Sequence, residues 1–383
     1  MPPAGWTLPD PAVLPLLDHH CHSVVTAELS DAGFGSLLTE SDRTPVDTPA
    51  PPGADPWDSA LGLAVRRWCP PVLGLEPHAS AAGYLARRRE LGAAEATGRL
   101  LRAAGLETCL LDTGLTEAAG APLLGLPEFA AAAGGVRVGE VVRLERLAAT
   151  LHGRTTAGNF GTDFAVALAV AARDAVAVKS IAAYRHGLDL DPARPGPAET
   201  AEAAGRWLAG SARLDHPVLL RALLWTAVDL GLPIQLHTGF GDPDLELHRA
   251  DPSLLAPFIR AAEPYGVPLV LLHGYPYHRQ AAWLAQAFPQ VYCDVGLTLS
   301  YTGAGAARVL GEFLELAPYG RILFSTDAYG LPELYLTGAE AFRRALGTVL
   351  ARWVADGDCA AADADRIAGM IAHGNARRLY RLP

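Results

Sequence analysis

Short apolar, β-branched runs recur along the chain, with stretches rich in Ala, Leu, Arg and Glu between them. The runs predict strands at Val13–His22, Glu107–Thr113, Val136–Leu144, Ala175–Tyr184, Pro233–Gly239, Pro268–Gly274, Val291–Gly296 and Ile322–Asp327. The intervening stretches predict helices at Ala81–Ala104, Asp163–Arg173, Pro197–Ala209, Pro217–Leu230, Pro252–Tyr265, Tyr277–Phe288 and Gly305–Leu316. Eight strands alternating with helices predict an α/β fold of the (β/α)8 TIM barrel type. Gly231-Leu-Pro233 and Gly266-Val-Pro268 read as helix stops followed at once by strand starts. Residues 23–80 are rich in Pro, Asp and Gly, with a helical piece near Trp57–Trp68. They read as a mostly helical insertion after strand one, not as a domain with its own core. Ala339–Leu382 reads as two closing helices, so residues 1–383 are expected to form a single barrel domain.

Composition narrows the picture. At about 150 residues per domain, 383 residues would make two or three, but barrels run to roughly 250 or more as one unit. Half the residues are hydrophobic and 19% are charged, which supplies a large core and excludes intrinsic disorder. A net charge of −10 and a pI near 5.6 argue against a nucleic-acid or anionic-membrane surface. The mean hydropathy of +0.17 raises the question of a membrane span. The most apolar stretches, Phe164–Ala172 and Ala222–Val228, are cut by Arg173, Asp174 and Asp229, and none approaches the ~20 residues needed. The start, Met1-Pro-Pro-Ala-Gly-Trp6, has neither a basic nor an apolar signal region, so no secretory leader is expected. Cysteines at 21, 69, 109, 293 and 359 are odd in number and lack CxxC spacing. No disulfide framework or thiolate zinc site is expected, and a reducing cytoplasm fits. Of the 31 basic residues only Lys179 is a lysine. A lysine retained against so strong a preference for Arg points to an amine that must be able to lose its proton.

The first run ends Leu16-Leu17-Asp18-His19-His20-Cys21-His22. Strict alternation puts His20 and His22 on one face, with Asp18 below them. Two imidazoles two apart on a strand can chelate one ion, and the C-terminal ends of barrel strands are where barrel active sites sit. Lys179, His237, His273 and Asp327 end the fourth, fifth, sixth and eighth runs in the same way. Buried imidazoles and carboxylates are costly unless paired or metal-bound, so six such groups at one mouth predict a metal site. His78, His152, His216 and His373 stand in helical or loop contexts and are expected to be solvated or capping. Nitrogen and oxygen ligands without sulfur suit Zn²⁺, as one or two ions, with Mn²⁺ or Fe²⁺ as alternatives. Such an ion lowers the pKa of a bound water to about 7, and Asp327 is expected to pass the proton to the leaving group. Burial lowers a lysine pKa from about 10.4, which would let Lys179 take up CO2 as a carbamate that bridges two ions. Two other readings stay open: an ammonium that binds a substrate carboxylate, and a Schiff base.

With these residues the chain resembles the amidohydrolase superfamily. Three segments narrow the resemblance: Lys179-Ser-Ile-Ala-Ala-Tyr-Arg185-His-Gly-Leu188, His237-Thr-Gly-Phe-Gly-Asp-Pro-Asp244-Leu, and Phe324-Ser-Thr-Asp327-Ala-Tyr-Gly-Leu-Pro-Glu333. They are similar to the amidohydrolase-2 domain that precedes a glutamine-synthetase-like domain in nodulin-related and fluG-type proteins. Val291-Tyr-Cys-Asp-Val-Gly-Leu297 and His373-Gly-Asn-Ala-Arg-Arg-Leu-Tyr380 fit the same group. The resemblance covers about residues 14–382; these 383 residues contain no synthetase-like half. It implies metal ligands at His20, His22, Lys179 or His237, and Asp327, with a catalytic or second-metal role for His273. It also implies a metal-dependent hydrolase acting on an amide or related C–N bond of a small carboxylate-bearing substrate. The alternative is a one-metal nonoxidative decarboxylase, in which Lys179 stays a cation; a third reading is a metal-binding scaffold without turnover. Tyr184, Arg185 and His186 follow Lys179 and are candidates for holding a substrate carboxylate, with Asp242, Tyr275, Tyr277, Tyr329 and Glu333 as weaker ones. The expected partner is a small molecule, with self-association left open and no nucleic acid or membrane.

Overall fold

The computed structural model describes residues 5–10, 14–41 and 53–383. Residues 1–4, 11–13 and 42–52, among them Val13 of the first predicted strand and part of the insertion, lie outside them. Eight parallel strands form one sheet: β1 (Leu16–Cys21), β2 (Leu106–Asp112), β3 (Arg137–Arg143), β4 (Ala177–Ser180), β5 (Ile234–Thr238), β6 (Leu269–His273), β7 (Val291–Asp294) and β8 (Ile322–Leu323). Their spatial order is their chain order, each parallel strand reached from the last by a crossover connection. The barrel closes between the ends. His19 N donates to Phe324 O (3.2 Å), Asp327 N to His20 O (3.0 Å) and His22 N to Ala328 O (2.8 Å). These eight strands with helices around them are a (β/α)8 TIM barrel.

Two apolar layers hold it. Inside the barrel, Leu17, Leu110, Val141, Ala177, Val270, Leu272 and Leu323 pack on Leu379 and Tyr380 from the C-terminus. The outer strand faces and the helices form the larger core, from Leu16 and Cys21 round to Phe342 and Leu346. Apolar side chains fill the inner layer, and buried polar groups such as Lys179, His237 and His273 stand toward the C-terminal ends of their strands. No helix among the described residues is long and apolar enough to cross a membrane. The five cysteines are free, and all but Cys359 are buried.

Several elements differ from expectation for local reasons. The fourth run pairs only as far as Ser180, and Ala182–Arg185 coils into a single helical turn at the mouth. Beyond Leu323 the eighth run bonds back to β1 instead of continuing beside β7. The predicted Ala81–Ala104 helix is two, Ala81–Leu91 and Ala93–Ala103, broken at Gly92 with φ 79°. The C-terminal region begins earlier than Ala339. A 25-residue helix runs Pro332–Asp356 from Pro at its first position to a left-handed Gly357, and Ala361–Gly369 and Asn375–Leu379 follow it. In the insertion, Pro56–Asp58 forms a turn of 3-10 helix and Ala60–Val72 an α-helix, so the piece near Trp57–Trp68 is helical as expected.

The candidate metal centre

β1 sets the geometry through an irregularity. Its register with β2 shifts between Asp18 and Cys21. A bulge of this kind breaks alternation, so neighbouring residues can face the same way. His19 and His20 therefore both reach interior groups, while Asp18 does not lie below His20 and His22. Asp18 instead accepts hydrogen bonds from Thr326 N (3.0 Å) and the Thr326 hydroxyl, stapling β1 to the segment after β8.

The mouth gathers all six sequence-predicted groups. Asp327 Oδ1 lies 3.0 Å from His20 Nε2 and 3.5 Å from His22 Nε2, and Oδ2 lies 3.3 Å from His273 Nε2. Lys179 Nζ donates to His20 Nε2 at 3.0 Å. His237 sits beside His273, ring centroids 4.9 Å apart. His20, His273 and Asp327 hold their ligand atoms within 4.8 Å of one another, as do His20, His22 and Asp112.

Each imidazole is aimed from behind. Gln235 donates through Nε2 to His19 O (2.9 Å) and the Tyr380 hydroxyl (3.0 Å), which turns its Oε1 toward His20. His20 Nδ1 then donates to that oxygen (2.8 Å), leaving Nε2 as the lone pair at the mouth. His22 Nδ1 donates to Asp112 O (3.2 Å) with the same result. His19 spans Tyr380 and Asp294, and Asp294 Oδ1 also accepts from His273 N (2.6 Å), fixing the end of β6. His273 and Asp327 adopt φ of 69° and 50°. Left-handed backbone at a non-glycine residue is strained, and strain of this kind gathers at functional sites. It turns both side chains inward at the ends of β6 and β8.

Electrostatics keep these groups in metal-binding form. Burial, reinforced by Lys179, lowers the His20 imidazole to about 3. Burial, with His273 beside it, puts His237 well below its usual value, and burial also lowers His273. Burial alone would raise Asp327, but His273, His20 and His22 outweigh it and hold the carboxyl well below the usual range. Burial lowers the Lys179 amine and Arg143 adds to the effect, against the pull of Asp112 and Asp327. Neutral imidazoles around an ionised carboxylate are a divalent-cation donor set. His237 Nε2, His273 Nε2 and Asp327 Oδ1 are buried without a hydrogen-bond partner among the described residues. Orphaned donors of this kind are what a bound cation would satisfy. The residues fit a metal with nitrogen and oxygen ligands.

Two groups at the mouth went unnoticed in the sequence. Asp112 ends β2, where Oδ2 accepts from Arg143 Nε (3.0 Å) and Nη2 (2.7 Å) and lies 4.0 Å from Lys179 Nζ. Its signal was present, since Leu110-Leu111-Asp112 repeats the apolar-run-then-polar pattern of the other strands. Glu40 comes from the insertion and carries no such signal. It is half-buried, and burial, then the Asp327 carboxylate, pushes it up to about 7.

A cavity of about 500 Å³ opens above the centre, lined among others by His22, Lys179, His237, Asp327, Glu40 and Arg143. Tyr184, Arg185, Asp242 and Tyr329 line it too, as anticipated. Gly241 packs against Tyr184, where any Cβ would overlap the phenol. Other candidates lie elsewhere. Glu333 is fully buried, accepting from Arg88 Nε (2.8 Å) and the Tyr84 hydroxyl (2.8 Å). It ties the long C-terminal helix to helix Ala81–Leu91, because the chain turns into that helix at Pro332 and carries Glu333 away from the mouth. Tyr275 stacks on His278 and meets Phe240 edge-on, outside the cavity lining. His186 and Tyr277 do not line it either. His216 caps helix Pro217–Leu230 and His152 packs edge-on against Trp207, whereas His373 lies in the π turn Met370–Gly374.

Comparison with known proteins gives the following. The profile of a family described as Amidohydrolase, the amidohydrolase-2 type, matches residues 122–382. Protein fluG of Emericella nidulans is 32% identical over 278 residues, 63% of this chain and 32% of that protein. The chain thus spans about a third of that relative's length. The crystal structure of an inferred metal-dependent hydrolase from Lactobacillus casei superposes with a TM-score of 0.84 at 30% identity, covering 96% of this chain and 95% of that one. Glucuronate isomerase from Caulobacter crescentus, at a TM-score of 0.65 and 15% identity over 96% of this chain and 91% of its own, shares the fold.

Proposed function

The chain belongs to the amidohydrolase-2 family, and from that premise we propose that it is a metal-dependent hydrolase opening an amide or related C–N bond of a small carboxylate-bearing substrate. One observation carries the reading: four imidazoles, an ionised carboxylate and a buried lysine cluster at the barrel mouth, with His22, Lys179, His237 and Asp327 lining its cavity and several of their atoms left without partners. His20, His22, His237 and Asp327 would hold one divalent ion, Zn²⁺ by donor type. That is the one-metal case; in a two-metal site His237 and His273 would hold a second ion, with Lys179 as a carbamate shared by both. The metal would supply Lewis acidity toward a carbonyl oxygen and lower the pKa of a water.

The chain's own residues do the rest. Asp327 is ionised and faces three imidazoles, so it can accept a proton from water and return it to the leaving nitrogen. Gln235 keeps His20 in the tautomer that presents Nε2. Removing its oxygen in Gln235→Leu is expected to weaken metal binding about 10–100-fold, read by chelator competition. Affinity unchanged within twofold would remove Gln235 from this role.

Arg185 offers the substrate-holding charge. Its Nε is buried without a partner among the described residues, and burial beside Arg213 lowers its pKa. A carboxylate is the natural complement of such a guanidinium. Arg185→Gln is expected to raise KM by about tenfold with kcat little changed, the mark of binding shared by ground and transition states. A fall in kcat at constant KM would place Arg185 elsewhere in the reaction.

One contact favours the decarboxylase as a second reading. Lys179 Nζ lies 3.0 Å from His20 Nε2 and 4.0 Å from Asp112 Oδ2, a setting that also suits an ammonium. A panel of amides and of unsaturated acids, assayed with zinc-loaded and manganese-loaded protein, separates the two by product. Ammonia or amine release supports the hydrolase; CO2 release without it supports the lyase.

A further inference from the structure

The cavity above the metal centre carries a guanidinium and a carboxyl group that form no ion pair with each other. Arg185, from the turn after β4, makes no ion pair among the described residues, and its Nε has no hydrogen-bond partner there. Glu40, from the segment after β1, lines the same cavity and likewise makes no ion pair among the described residues. Its neighbours are the Tyr301 hydroxyl, the acids Asp327 and Asp242, and the buried Lys179 amine, which forms no ion pair with it. By contrast, Arg213 is already matched by Asp244 at 2.9 Å and Arg143 by Asp112 at 2.7 Å. Partly buried charges are costly without partners, and structures normally provide them. A cation and a carboxyl group on the walls of one cavity, unpaired with each other, are complementary to a ligand that carries both signs.

We infer that Glu40 is the cation-recognising residue of the substrate site, and that the substrate is dipolar, with an ammonium at Glu40 and a carboxylate at Arg185. The inference rests on the hydrolase reading for the place of the scissile bond, but the charge pattern stands apart from turnover. Tyr301 is the positioning group, since its hydroxyl lies beside the Glu40 carboxyl. Helix Asp31–Ser36, capped by Ser30, carries Glu40 toward the mouth, which gives the insertion after β1 a part in substrate selection.

Three small primary amides test it: asparagine carries both charges, succinamate only the carboxylate, and β-alaninamide only the ammonium. Binding is measured by titration calorimetry on the zinc-loaded full chain and again after metal removal, so that simple chelation is separated from recognition. Asparagine is expected to bind at least tenfold tighter than either single-charge amide in both forms. Glu40→Gln should bring asparagine down to the succinamate level and change succinamate less than twofold. Tyr301→Phe should weaken asparagine several-fold while sparing succinamate, and gives the same reading if Glu40→Gln fails to fold. Arg185→Gln should do the converse, sparing β-alaninamide. Equal binding of asparagine and succinamate, loss of both alike in Glu40→Gln, or no binding of asparagine would overturn the inference. If the charge preference holds while no amide is turned over, the hydrolase reading fails and the dipolar site stands.

Discussion

Asp327→Asn is expected to lower kcat by about 10²–10⁴-fold, the range that general acid–base groups contribute. The argument is local. Among the described residues, Asp327 is the one carboxylate that reaches three imidazoles of the mouth, at 3.0, 3.5 and 3.3 Å. Asn keeps its size and one oxygen but cannot accept and return a proton. It also tolerates the φ of 50° at this position, since Asn and Asp are the side chains best suited to left-handed backbone. The fold and melting temperature should therefore survive, which would not hold for a bulky or β-branched replacement. Steady-state kinetics with metal content measured in parallel tests the claim. More than a tenth of the native kcat in the variant would remove Asp327 from proton transfer.

The second large effect concerns Lys179. Its side chain is buried at 2% exposure, within 3.0 Å of His20 Nε2. If it holds a second ion as a carbamate, Lys179→Ala should lose that ion and about 10²-fold or more of activity, beyond the scale of outer partners of metal ligands. A short-chain carboxylic acid added in solution should restore part of both. Lys179→Arg should be inactive, because a guanidinium stays protonated and cannot add CO2. Metal counting and turnover on the two variants, with and without added acid, distinguish the outcomes. Appreciable activity in Lys179→Arg would mean that only the charge matters, and would shift the account to the one-metal decarboxylase.

The barrel was legible because each strand carries its own punctuation. An apolar run such as Leu269–Leu272 followed by His273 states both a buried strand and a polar end, and the same holds for His237 and Lys179. Reading those ends together located the six groups that meet at the mouth. Periodicity failed where the backbone departs from ideal pleating. The register shift in β1 moves Asp18 out of line with His20, and no count of alternating residues could reveal it. Sequence proximity misled at Glu333, six residues beyond Asp327, because helix Pro332–Asp356 begins between them. Glu40 was invisible for the opposite reason. It reaches the cavity through an insertion whose path depends on tertiary packing, as with Trp57 stacked on Phe34 at 5.4 Å between ring centroids, and on no local pattern. Asp112 is a plain omission, since its strand end obeys the rule that found the others.

The central claim is that the mouth of this barrel binds a divalent metal through His20, His22 and Asp327. Its most direct test is a crystal structure of the zinc-loaded chain with anomalous diffraction recorded on both sides of the zinc edge. The account predicts a fully occupied zinc peak about 2.0–2.2 Å from His20 Nε2, His22 Nε2 and an Asp327 oxygen, absent from a His22→Ala crystal prepared in the same way. A mouth without a zinc peak, or a zinc ion held by other residues while these three keep their present contacts, would contradict it.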